Sequence, residues 1–263
     1  VRYNRKENSL RYLLLKKQRH NFLKNFIFMI DFQESHRHKI TVTADDFGVS
    51  PRSNRNTLYL ISLGKIDRVS IMVNGEISAK EIEELSRSGM KLDIHLDILH
   101  KFDKERRDRH SAILRVIEFI YKVLSGKVSK RKVRQQWQNQ IEKFHTIFGK
   151  YPDGVNSHEH IHFFPPFFKV ACDLQEKYKI PYIRFGDSPV LHHHTIISYI
   201  LHILRLINQR VCTSDSCVSS NFLVSLDWIQ DVNSFLNSLP DGITEVSCHP
   251  EIAEDFVKVK EYF

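Results

Sequence analysis

The stretch Lys39-Ile-Thr-Val-Thr-Ala-Asp-Asp-Phe-Gly48 decides the fold. Its first six residues are rich in β-branched side chains and read as a buried strand. Two carboxylates, Asp45 and Asp46, stand at the carboxyl end of that strand. The same arrangement recurs along the chain. Leu92 to Leu96 reads as a strand carrying His95, and a strand from Val155 runs into Ser157-His-Glu-His-Ile-His162. A last strand, Ile243 to Ser247, precedes His249-Pro250. Val69 to Val73 and Tyr182 to Phe185 are further predicted strands. Helical patterns fall between them, over Asn54–Leu63, Ser78–Ser88, Ala112–Leu124, Val133–Phe148, Phe167–Tyr178 and Asp227–Leu236. Residues 187–220 read as irregular apart from a helical stretch near Ile196 to Ile207.

Strands alternating with helices imply an α/β fold with a parallel sheet and crossover helices. A (β/α) barrel-like closure is expected over an open sheet. Its reason is that chemistry-bearing residues recur at strand carboxyl ends, the face where barrels collect their active sites.

Composition narrows the classes further. Of 263 residues, 41% are hydrophobic and 27% charged, a globular balance with material for a core. The net charge of +8 would suit a nucleic-acid binder, but it is local. Residues 1–38 hold nine Lys/Arg against three Asp/Glu, and residues 101–134 hold twelve against four. The rest of the chain is mildly acidic, and the basic segments lack an aromatic platform for bases, so no nucleic-acid partner is expected. Residues 1–38 are read as a basic amphipathic extension, and residues 39–263 as the folded domain. Within the extension, Leu10 to Ile30 interleaves apolar residues with Lys16, Lys17, Arg19 and Lys24. That pattern suits peripheral contact with an anionic membrane through residues 1–30 as well as a loosely docked tail. It lacks the order of a secretory signal. Four cysteines without a disulfide framework favour a cytoplasmic location.

Each candidate residue has a plain reading beside a chemical one. Asp45-Asp46 fits a helix N-cap or turn as well as a metal ligand beside a base. His95 fits a hydrogen-bonded core histidine as well as a ligand. The run His158, His160, His162 is dense enough to point to a metal. His249 fits a loop histidine as well as a proton donor. The tract His192-His193-His194 and the pair Cys212 and Cys217 carry little weight.

Six stretches in order resemble one family. They are Thr43-Ala-Asp-Asp-Phe-Gly-Val-Ser50, Val69-Ser-Ile-Met-Val-Asn-Gly75, Asp93-Ile-His-Leu96, the run from Phe148 to His162, Ile180-Pro-Tyr-Ile-Arg184, and Gly242-Ile-Thr-Glu-Val-Ser-Cys-His-Pro250. Together they resemble the YdjC-like (ChbG/HpnK) carbohydrate deacetylases over roughly residues 39–251. The resemblance implies a fold related to the barrels of polysaccharide deacetylases. It also implies metal-dependent removal of an N-acetyl group from an amino sugar, chitooligosaccharide-like or lipid-linked. Carried over by position, Asp46, His95 and His158 are the metal ligands. Asp45 is the general base, and His249 stands near the leaving group. Asn74, His160, His162 and Arg184 fall to substrate binding. The resemblance brings Mg2+, whereas two histidines and a carboxylate also suit Zn2+ or another transition ion. A homodimer is a further expectation. The chain departs from the family in having Asn156 where Asp is usual before Ser-His, and Glu251 after Pro250. A catalytically weakened sugar- or metal-binding relative on the same fold is the alternative that Asn156 keeps open.

Overall fold

The computed structural model describes residues 39–98, 121, 125, 128–188, 195–211 and 218–263. The expected extension over 1–38, the helix over Ala112–Leu124 apart from Tyr121, the tract His192-His193-His194 and the pair Cys212 and Cys217 lie outside the described residues.

Seven parallel strands form one sheet in the order β5-β4-β3-β2-β1-β7-β6. They are β1 (Ile40–Phe47), β2 (Arg68–Ile71), β3 (Lys91–Leu96), β4 (Gly154–Ser157), β5 (Tyr182–Ile183), β6 (Phe222–Ser225) and β7 (Thr244–Cys248). The helices among the described residues are α1 (Pro51–Ser62), α2 (Ala79–Arg87), α3 (Lys130–Phe148), α4 (Pro165–Tyr178), α5 (Ile196–Asn208), α6 (Val232–Asn237) and α7 (Ala253–Tyr262). The sheet is curled. Its edge strands β5 and β6 approach through bridges Tyr182↔Val218 and Asp187↔Phe222. The amides of Ile183 and Asp187 donate to the carbonyls of Val218 (3.0 Å) and Asn221 (2.8 Å). The architecture is therefore α/β and barrel-like.

Local chemistry sets the helix starts. Ser50 caps α1, with Pro51 at its first turn, and Ser78 and Glu81 form a reciprocal capping box on α2. Two sequence expectations differ from the structure. Strand β6 is a four-residue apolar run, too short to separate from a helix by periodicity. The helix expected over Asp227–Leu236 is split. A 3-10 turn covers Leu226–Trp228, and α6 begins after Asp231, whose carboxylate accepts from the amides of Asn233 and Ser234. That cap fixes where the second element starts.

Candidate metal and catalytic site

The site is built at the carboxyl ends of β1, β3, β4 and β7. On β1 the pairing with β2 slips: Ala44 faces Val69, but Phe47 faces Ile71. This bulge places one extra residue on β1 and re-aims the two carboxylates. Asp46 takes a left-handed backbone (φ 64°), costly for a residue with a Cβ. Its carbonyl accepts from the Val49 amide (3.1 Å) and the Ser53 hydroxyl (2.9 Å), which secures that conformation. Gly48 follows with φ 101°, where a Cβ would lie 2.7 Å from the Met72 carbonyl oxygen.

Asp46 Oδ1 lies 2.8 Å from His158 Nδ1 and 3.2 Å from His95 Nε2. Ligand atoms of Asp46, His95 and His158 all lie within 4.8 Å of one another. His95 sits on β3 opposite Asn156 on β4. Its Nδ1 is 2.6 Å from Asn156 Oδ1, and Asn156 Nδ2 donates to Ser70 Oγ (2.7 Å) on β2. An amide oxygen can only accept, so Nδ1 carries the hydrogen and Nε2 presents its lone pair. The neutral Asn156 therefore orients His95 without supplying charge. A carboxylate and two imidazoles with this spacing fit one divalent ion.

Asp45 faces the barrel interior instead. Both of its oxygens accept from the Arg184 guanidinium, at 2.7 and 2.8 Å. Burial pushes its carboxyl up, but Arg184, with the smaller influence of His95 and His249, holds it well below the usual carboxylate range. Arg184 is itself clamped from behind. Its Nε donates to Glu245 Oε1 (2.8 Å), which also accepts from Thr43 Oγ1 (2.9 Å), while Tyr182 donates to Glu245 Oε2 (2.6 Å).

His249 follows β7. Its backbone amide donates to Asp255 Oδ2 (2.8 Å), and its Nδ1 lies 3.6 Å from the same oxygen. The ring is 23% exposed and Asp255 1%, so the carboxylate stands behind an imidazole that reaches the surface.

The three histidines after β4 have different places. The chain turns at left-handed Glu159 and His160 instead of continuing as a strand. His158 joins the metal trio. His162 is fully buried, with Ser157 Oγ 2.7 Å from Nδ1 and the Arg184 carbonyl 2.8 Å from Nε2. Burial, with Arg184 and His95, pulls its pKa down to about 3 against the smaller opposing effect of its bond to the Arg184 carbonyl. His160 packs edge-on against Phe163, and burial pushes its imidazole well below its ordinary pKa. Asn74 lies exposed after β2, and its Oδ1 accepts from Lys143 Nζ (3.2 Å). Glu245 and Asp255 escaped the sequence reading. For Glu245 the available signal was a lone carboxylate inside the expected strand Ile243 to Ser247.

The family model described as YdjC-like protein matches residues 39–261. A carbohydrate deacetylase of Clostridium beijerinckii is 25% identical over 222 residues, spanning 81% of each chain. A carbohydrate deacetylase of Mus musculus is 26% identical over 161 residues, which is 56% of this chain and 50% of that protein. A chitooligosaccharide deacetylase of Serratia marcescens is 27% identical over 152 residues, covering 54% of this chain and 57% of that one. The match thus spans about half the length of several of these curated relatives. Among solved structures, an Enterococcus faecalis protein described as a candidate cellobiose-phosphate cleavage protein superposes with a TM-score of 0.56. It shares 18% identity, with 83% of each chain covered.

Proposed function

Because the chain belongs to the YdjC-like family, we propose that it is a carbohydrate N-deacetylase that hydrolyses the acetamido group of an amino sugar. The observation that carries this reading is the convergence of Asp46, His95 and His158 from three strand ends. The substrate class is a chitooligosaccharide-like or lipid-linked amino sugar. The family match begins at residue 39 and supports residues 39–263 as the deacetylase domain, with 1–38 as an extension.

In this reading Asp46, His95 and His158 hold one divalent ion, Mg2+ or a transition ion such as Zn2+. When bound, such an ion lowers the pKa of water from about 15.7 toward about 7 and polarises the acetamido carbonyl. Asp45 accepts the proton of the attacking water. Arg184 keeps it ionised at working pH, and each carboxylate oxygen retains a second lone pair after bonding the guanidinium. The water oxygen bonds to the carbonyl carbon, the C–N bond breaks, and His249 delivers a proton to the departing nitrogen. The products are acetate and a free amine. Asp255 holds the His249 backbone through its amide, and the proton transfer is worth about 10²–10⁴-fold. In this reading Asn74 and His160, which follow β2 and β4, contact the sugar. Asn156 keeps His95 in the ligating tautomer, which supports a working centre over a weakened relative. The free thiols of Cys172 and Cys248 support a reducing, cytoplasmic setting.

The test is acetate release from N-acetylated chitobiose by the intact chain and by His158→Ala, with metal content measured on both. The expected result is turnover and bound metal in the first, and loss of both in the second. Equal turnover by the variant would overturn the ligand assignment.

A further inference from the structure

Helix α5 turns polar as well as apolar side chains inward. Its buried positions are Ser198, Leu201 and Asn208, and several of its polar groups bond to the barrel. Asn208 Nδ2 donates to the Phe163 carbonyl (2.6 Å), and Arg205 Nε to the Phe185 carbonyl (2.9 Å). His202 Nδ1 lies 2.8 Å from Asp187 Oδ1. Its outward side is apolar. Ile196, Tyr199, Ile203, Leu206 and Ile207 are 43–55% exposed and recur at helical spacing. A surface helix ordinarily keeps its exposed side polar. Contiguous exposed apolar surface of this kind marks a contact with another phase or molecule.

Charge identifies the occupant. From Ser188 to Ser214 the sequence holds no Asp or Glu, whereas Arg210 lies exposed just after the helix. The other apolar stretch of the chain, Leu10 to Ile30, is also free of Asp and Glu and carries Arg11, Lys16, Lys17, Arg19 and Lys24. Docking that stretch on α5 would gather like charge, and a second copy would set Arg210 beside its own kind. An anionic bilayer takes both the apolar face and the cations. We propose that the outward face of α5 docks this protein on an anionic membrane surface, lying in the interface without crossing it. None of the described helices is long and apolar enough to span a membrane. Through Asn208, α5 is bonded to the segment that follows His158, so docking would bring the metal-binding end near the lipid headgroups. The inference stands apart from the deacetylase reading, because its readout is binding alone.

The experiment is co-sedimentation of the full chain with vesicles of phosphatidylglycerol and phosphatidylcholine, and with phosphatidylcholine alone. The double variant Ile203→Glu/Leu206→Glu is measured beside it, with folding checked by circular dichroism. If that variant unfolds, Ile203→Asn replaces it. The expected result is partition onto the anionic vesicles that falls at least ~10-fold in the variant and on neutral vesicles. Undiminished binding by the variant would overturn the proposal. So would no binding by the natural chain, or a dimer in light scattering that the substitutions split into monomers.

Discussion

Two buried charge clusters lie within one barrel, and they differ in the kind of cation each carboxylate meets. Deep in the barrel, Asp93 is gripped by Arg68 at 2.6 and 2.8 Å, and Arg184 bridges Asp45 and Glu245. Tyr182 links the two halves, lying under the Arg68 guanidinium (4.1 Å to the ring centre) and donating to Glu245. A guanidinium keeps its charge at any working pH and cannot be exchanged. At the strand ends, Asp46 instead shares one oxygen between two imidazoles. An imidazole can give up a proton and take a metal on the same nitrogen. The interior cluster has fixed countercharge and gives only Asp45 a chemical role, as the proposed base, while the outer cluster is suited to an exchangeable ion.

Substitutions can break that comparison. The largest effect is expected for His95→Ala or His158→Ala. Each should remove acetate release and bound metal, and in His158→Ala, where the ring is partly exposed, the melting temperature of the metal-free protein should change little. Next is Asp45→Asn, which should lower kcat by about 10²–10⁴-fold with metal content retained, read by steady-state kinetics beside elemental analysis. Arg184 would still hold Glu245 in that variant. Glu245→Ala tests the interior directly. Removing one partner of a buried pair costs about 3–5 kcal/mol. Denaturant unfolding should show that loss, and loss of metal without loss of stability would erase the distinction between the clusters.

Two smaller effects sharpen it. Asn156→Ala should weaken metal binding by about 10–100-fold, measured by calorimetry, because His95 loses its tautomer partner. Asn156→Asp should tighten it. The last test concerns His162, whose folded pKa of about 3 lies below the ordinary 6.5. The neutral ring is the form the fold stabilises. Its contribution is complete above about pH 6.5 and lost as pH falls toward 3. Ring NMR signals of His162 should therefore show no titration between about pH 5 and 8.

The sequence made β1 legible because six residues of β-branched and apolar character end abruptly in two carboxylates. It also showed a histidine cluster after β4, but not how that cluster divides. The left-handed backbone at Glu159 and His160 breaks the alternation that would have aligned all three rings. His158 turns outward to Asp46, and His162 turns into the core. Likewise Arg184 stood out only by resemblance. Its bond to Asp45 joins residues 139 apart in sequence, a pairing that no local pattern encodes. Strand β6 was hidden for a different reason, since four residues carry too short a period to read.

The most direct test of the central claim is a titration of the chelator-treated chain with one divalent ion, following acetate release from N-acetylated chitobiose. The account predicts no release without ion, and saturable recovery at one bound ion per chain that His158→Ala abolishes. Release that persists in chelator and ignores added ion would contradict it.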